Sequence, residues 1–258
     1  SNDMADRKQM LQDALMAQRK MLIDATGKRG EDIPQAFTPY KEGLDVYDEG
    51  LELPDDVTII WPDDNYGYMK RLSSPKEQKR SGRSGVYYHS SYLGKPHDHL
   101  WMNTTSPTLM YEELRKAYDM TADRIWLLNA GDIKSCEFAV DFFLSMAYDI
   151  DSFNFDRAAT YRTEWLCGML GDEYRNEYQD VINSFYKLAF ARRPEFMGWG
   201  YQWATDKHGR ERNTDTDFSL TNYREVDSRL SEYRLIGSIT EKIRKRKRPA
   251  STSHCIIR

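Results

Sequence analysis

The chain is short of cysteine, of long apolar runs and of any net positive charge. Its three cysteines, Cys136, Cys167 and Cys255, fall in no metal-ligand or redox spacing, so they read as small apolar residues and leave the compartment undecided. No apolar run approaches the ~18 residues that a bilayer span needs, so no membrane partner is expected. The formal net charge of −4 argues against nucleic acid as a partner, since such proteins normally show a basic domain. No Gly-x-Gly-x-x-Gly turn follows any strand-like segment, which removes the main evidence for a dinucleotide site. The start, Ser1-Asn-Asp3, is polar and lacks an apolar h-region, so no signal peptide is read there.

What is present is a chain of 258 residues, enough to bury a full-sized core in one or two domains. Hydrophobic residues make up 40% and charged residues 30%, an ordinary balance for a globular protein. Aromatics stand out at 13%, with 17 Tyr and 6 Trp. Such residues either fill a core or line surfaces for sugars, peptides or bases, because each joins an apolar face to a polar handle.

Residues 3–26 carry Met10, Leu11, Leu15, Met16, Met21 and Leu22 at helical spacing, and Gly27 supplies a stop. From Gln35 onward the pattern alternates. Strand-like segments at 35–40, 57–61, 85–89 and 124–129 are followed by helical or loop segments at 41–51, 69–80, 107–120 and 137–148. Four strand–helix repeats predict βαβ units and a parallel sheet, either about half of an eight-fold barrel of roughly 250 residues or an open doubly wound sheet. From Asp156 the pattern turns to helices alone, at 162–171, 173–192 and 222–247, with a break at 193–217. The expected fold is α/β, half of a TIM-type barrel over 1–155, then an all-α bundle over 156–243. A basic tail over 244–258 is expected to be disordered.

The strand-like segments end in polar bursts. Val57-Thr-Ile-Ile60 runs into Trp61-Pro-Asp-Asp-Asn-Tyr-Gly-Tyr68. Burying Asp63, Asp64 and Asn65 without partners would cost about 1–3 kcal/mol or more per group, so a wet, open strand end is expected. The other ends supply Tyr40 and Glu42, then Tyr87, His89 and Tyr92, then Asn129 and Asp132. In barrels and open α/β sheets these ends converge on the ligand. Carboxylates among phenols suit acid–base work on a glycosidic bond. Plainer roles are also open. Asp63 or Asp64 could cap a following helix, and Asp132 could cap the next one. One of Tyr87 and Tyr88 must be core, and His89 could be a satisfied buried histidine. His97-Asp98-His99 reads as loop rather than metal site. Trp199, Tyr201 and Trp203 read as packing before sugar platform.

With these residues in place the chain resembles glycoside hydrolase family 115, the xylan α-1,2-glucuronidases. The matching stretches are Thr58–Tyr68, Gly85–His89 with Tyr92, Trp101-Met-Asn103, Arg124–Asp132, Glu137-Phe138 and Phe142-Phe-Leu144. The resemblance implies the second half of a barrel, with the barrel's N-terminal half as a partner, followed by a helical domain. It implies inverting removal of glucuronic acid or its 4-O-methyl ether from glucuronoxylan or its oligosaccharides, with no metal or organic cofactor. It makes Glu42 the general acid and Asp63 a second catalytic residue, with Tyr40, Asn65, Tyr87, His89 and Tyr92 binding substrate, and Asn129 joins them by its place at the fourth strand end. An extracellular or periplasmic location follows from the resemblance, and a homodimer is a further expected assembly. Two rival functions are a non-catalytic carbohydrate-binding or structural remnant, and a metal-dependent hydrolase using Asp63, Asp64 and His89.

Overall fold

The computed structural model describes residues 2–94, 98–100, 102–196, 208, 219–221 and 225–247. The chain divides into two compact units, one of residues 1–92 and 108–153, the other of residues 93–107 and 154–258. Sequence placed the main boundary at 155 and did not foresee that 93–107 would join the second unit.

The first unit holds α1 (Asn2–Thr26), β1 (Ala36–Phe37), α2 (Glu42–Asp48), β2 (Thr58–Pro62), β3 (Ser84–His89), most of α3 (Pro107–Asp119), β4 (Trp126–Asn129) and α4 (Ile133–Tyr148). The strands form one parallel sheet in the order β1-β2-β3-β4. The link from β2 to β3 is a loop with a single 3-10 turn at Glu77–Lys79 rather than a helix. Every residue of β2 is buried, as expected for a strand covered on both faces. Pro62 closes β2 at no cost to the ladder. The N–H groups of Ile59 and Asp63 bond toward β3 and that of Thr58 toward β1, so a group at 62 would point toward β1, which pairs only as far as Ile59.

Register sorts the side chains. Ile59, Trp61, Ser84, Val86 and Tyr88 share one face. There Tyr88 stacks with Phe143 of α4, Trp126 meets the same ring at a tilt, and Trp61 meets Tyr47 of α2 at 5.7 Å between ring centroids. Trp61 donates its indole N–H to Ser73 Oγ at 2.9 Å, and the Arg71 guanidinium lies 4.5 Å from the Trp61 ring centroid. The opposite face carries Pro62 and Tyr87 side by side, and His89 beside Asn129. Gly85 is required by close approach, because a Cβ there would lie 2.0 Å from the Ile125 carbonyl oxygen.

Helix α1 ends as expected, with Gly27 in the left-handed region at φ 66°. Its inward face is narrower than the apolar pattern suggested: Leu11, Leu15 and Leu22 are half-buried while Met10, Met16 and Met21 are exposed.

The second unit contains α5 (Phe155–Leu170), α6 (Arg175–Ala191) and α7 (Glu225–Lys247), with α6 packed against both others. Cys167, Tyr178 and Ile243 form its small core with Leu166, Tyr174 and Ile239 against them. Asn154 caps α5 by accepting the Arg157 N–H at 2.8 Å. Buried Arg229 donates to the Leu188 and Arg192 carbonyls and so closes the C-terminal end of α6. The expected disordered tail is corrected at its start: Arg244–Lys247 is helical. Arg244 is held by Glu241, and Lys247 Nζ lies 5.6 Å from the Tyr174 ring centroid. Residues 248–258, His97, Trp101, Trp199, Tyr201 and Trp203 lie outside the described residues.

Candidate active site

The polar burst after β2 folds on its two aspartates. Asp64 accepts the N–H groups of Tyr66 and Tyr68 on Oδ1, at 3.0 and 3.1 Å, so it organises a loop and caps no helix. Asp63 was expected at a wet strand end. It is instead buried, 5% exposed, and accepts four hydrogen bonds. Its Oδ1 takes the Asn65 N–H at 3.0 Å and His89 Nδ1 at 2.5 Å, and its Oδ2 takes the N–H groups of Gly67 and His89 at 3.1 and 3.0 Å. Backbone donors on both oxygens make this an acceptor site, so His89 is held with its proton on Nδ1. The burial is affordable because every lone-pair direction meets a donor. Asn65 sits at φ 72°, a left-handed value that asparagine tolerates.

His89 is the centre of an aromatic cluster. Its ring lies 4.5 Å from that of Tyr87, 5.7 Å from Tyr92 and 6.2 Å from Tyr40, the last in stacked orientation. Tyr66 meets Tyr92 edge-on at 5.9 Å. The phenols are tied to their neighbours: Tyr40 donates to Asn65 Oδ1 at 2.9 Å, and Asn129 Nδ2 donates to Tyr87 Oη at 3.2 Å. Burial raises the Tyr40 phenol above its ordinary pKa, against the opposing Lys41 charge, so it stays a neutral donor.

The two ends of the cluster differ in access. His89 and Tyr92 are almost closed off, while Tyr40, Asn65, Tyr87 and Asn129 are half-buried and Glu42 is exposed. Glu42 is the first residue of α2 and makes no hydrogen bond or ion pair within the described residues. The structure thus brings together Tyr40, Asp63, Asn65, Tyr87, His89, Tyr92 and Asn129, with Glu42 at the entrance to α2. Tyr88 is the core member of its pair and donates to the Gly67 carbonyl at 3.0 Å. Asp132 holds the N-cap position of α4, but its side chain makes no cap bond. Sequence reasoning passed over Lys41, whose Nζ donates to Tyr92 Oη at 3.4 Å. Its place between Tyr40 and Glu42 was the available signal. Among the described residues no three His, Cys, Asp or Glu side chains gather as a metal-ligand set.

Parallel strands whose carboxyl ends gather acid, amide, imidazole and phenol groups define an α/β protein whose candidate ligand site lies at the strand ends. Comparison narrows the class. The chain belongs to glycosyl hydrolase family 115, whose model matches residues 1–196. It is similar to the solved structure of BtGH115A, described as a family GH115 4-O-methyl-α-glucuronidase with specificity for decorated arabinogalactans. The TM-score is 0.83 at 36% identity, over 96% of this chain. The chain spans 32% of that chain's length. No curated protein matches it.

Proposed function

We propose that the strand-end cluster is the active-site part of a glycosidase that removes α-linked glucuronic acid or its 4-O-methyl ether from a plant polysaccharide. The observation that carries this is an exposed, unpartnered carboxylate, Glu42, two residues along the chain from Tyr40, whose phenol joins half-buried phenols and amides on parallel strand ends, in a family 115 chain. Glu42 acts as general acid on the glycosidic oxygen. Asn65, Tyr87 and Asn129 donate hydrogen bonds to the sugar, and the Tyr40 oxygen, whose proton goes to Asn65, accepts one. Asp63 is a positioning residue, fixing His89 and the loop that presents Asn65, and His89 and Tyr92 back the tyrosine rings. An inverting reaction needs a base roughly 6.5–9.5 Å from the acid, on the far side of the sugar. The four-stranded sheet is part of a β/α barrel on this reading, and the site completes with the remainder of that ring. A polysaccharide substrate fits an extracellular or periplasmic setting.

Chromatography of acid released from 4-O-methylglucuronoxylan and from decorated arabinogalactan tests the proposal and ranks the two polymers. Release by the wild type and none by Glu42→Gln is expected, since general acid catalysis is worth about 10²–10⁴-fold. Wild-type release by Glu42→Gln removes Glu42 from the acid role. A second reading, binding without turnover, is favoured by the commitment of both Asp63 oxygens to donors, which leaves Glu42 as the one open carboxylate of the gathered set. Calorimetric binding of glucuronoxylan fragments with no release from either polymer supports that one.

A further inference from the structure

Lys41 occupies a backbone conformation that lysine should avoid. Its φ of 50° and ψ of −121° match the first central position of a type II′ turn, and the Gly43 N–H closes that turn on the Tyr40 carbonyl at 3.0 Å. Glycine is the ordinary occupant, because a Cβ is strained there. The turn joins Tyr40 to Glu42, so the strain lies inside the site, where strained residues concentrate. The lysine side chain is folded back over the cluster. Its Nζ lies 5.2 Å from the Tyr40 ring centroid and 5.8 Å from that of Tyr92, besides its bond to Tyr92 Oη.

The charge has no counter-ion among the described residues. No acid among the described residues pairs with Lys41, and unlike other unpaired lysines such as Lys76 and Lys79 its ammonium is held on aromatic rings. The Tyr92 oxygen raises the ammonium pKa, so the charge persists throughout the neutral range. An exposed cation fixed over two phenols, one bond along the chain from an unpartnered carboxylic acid, is half of an ion pair whose other half is not found among the described residues.

We propose that Lys41 reads the charge of the substrate: its ammonium receives the C6 carboxylate of the uronic acid and so discriminates uronic acids from neutral hexoses. This rests on the glucuronide reading of the site. A charge-assisted contact of this kind is worth about tenfold or more in affinity. It should weaken with added salt because the position is open to solvent.

The test is calorimetric binding of glucuronic acid and of its C6 methyl ester to the wild type, Lys41→Met, Lys41→Arg and Lys41→Gly. The glycine variant suits the turn and keeps the test informative if the methionine variant folds poorly. The wild type should prefer the acid by about tenfold, the Met and Gly variants should bind acid and ester alike, and Arg should keep most of the preference. An undiminished preference in Lys41→Gly overturns the role of Lys41 and leaves the glucuronidase reading standing. Binding of neither compound by the wild type removes both.

Discussion

Replacing Asp63 by asparagine tests whether the site is built from beneath by a buried acceptor. The carboxylate takes four donors, two on each oxygen, at 2.5–3.1 Å. An asparagine offers one oxygen and one NH₂, so one donor pair must face a donor. The cheaper arrangement keeps the oxygen for the Gly67 and His89 amides and sets the NH₂ against His89 Nδ1 and the Asn65 N–H. His89 can then move its proton to Nε2 and accept on Nδ1, but the Asn65 N–H stays unpaired. One stranded buried donor and the loss of charge-assisted bonds together cost about 2–3 kcal/mol. That is roughly 4–12 °C in Tm for a unit of this size. Urea unfolding of wild type and Asp63→Asn measures the energy, and imidazole nitrogen NMR shifts report the His89 tautomer. A variant within about 0.5 kcal/mol of wild type, with the Nδ1–H tautomer kept, would refute the reasoning, since surface changes fall in that range.

Other consequences can be checked separately. Glu42→Gln should leave the unfolding free energy from urea titration within about 0.5 kcal/mol of wild type, because Glu42 is exposed and unpartnered, so any loss of turnover is chemical. Gly85→Ala should destabilise by roughly 3 kcal/mol or more and cost the sheet its far-UV circular dichroism, since its Cβ would strike the Ile125 carbonyl of the adjoining backbone. Glu77 gives a pH dependence. Burial pushes its pKa up, but hydrogen bonds from Arg71, Ser74 and Tyr47 outweigh burial and hold it at about 2, against 4.5 for a free glutamate. A depressed carboxylate stabilises above its free pKa, so its contribution should fade as pH drops from 4.5 to about 2. Glu77→Gln should be less stable at neutral pH and lose less over that window in urea titrations.

The parts that were legible in sequence are those set by local period. The apolar run at 57–61 gave β2, the 3.6-residue spacing gave α3, α4 and α6, and the glycine at 27 gave the end of α1. The alternation of strands with helices gave the parallel order. What stayed hidden depends on partners distant in the chain. The burial of Asp63 was illegible because three of its four donors are backbone N–H groups, which no residue type announces. The strain at Lys41 is a conformation rather than a composition. The exposed α1 methionines show that helical spacing marks a stripe without saying how much of it is covered. The transfer of 93–107 to the second unit, and the helical start of the basic run, likewise rest on tertiary contacts that override local composition.

The most direct measurement is an NMR titration of the chain with 4-O-methylglucuronic acid. The account predicts that the side-chain signals of Tyr40, Lys41, Asn65, Tyr87 and Asn129 shift together and saturate with one affinity. Those of Tyr47, Arg71 and Glu77, on the other face of the sheet, should stay unmoved. Shifts confined to that other face, or no shift at the strand-end cluster at millimolar ligand, would contradict the claim that these four strand ends form the uronic-acid site.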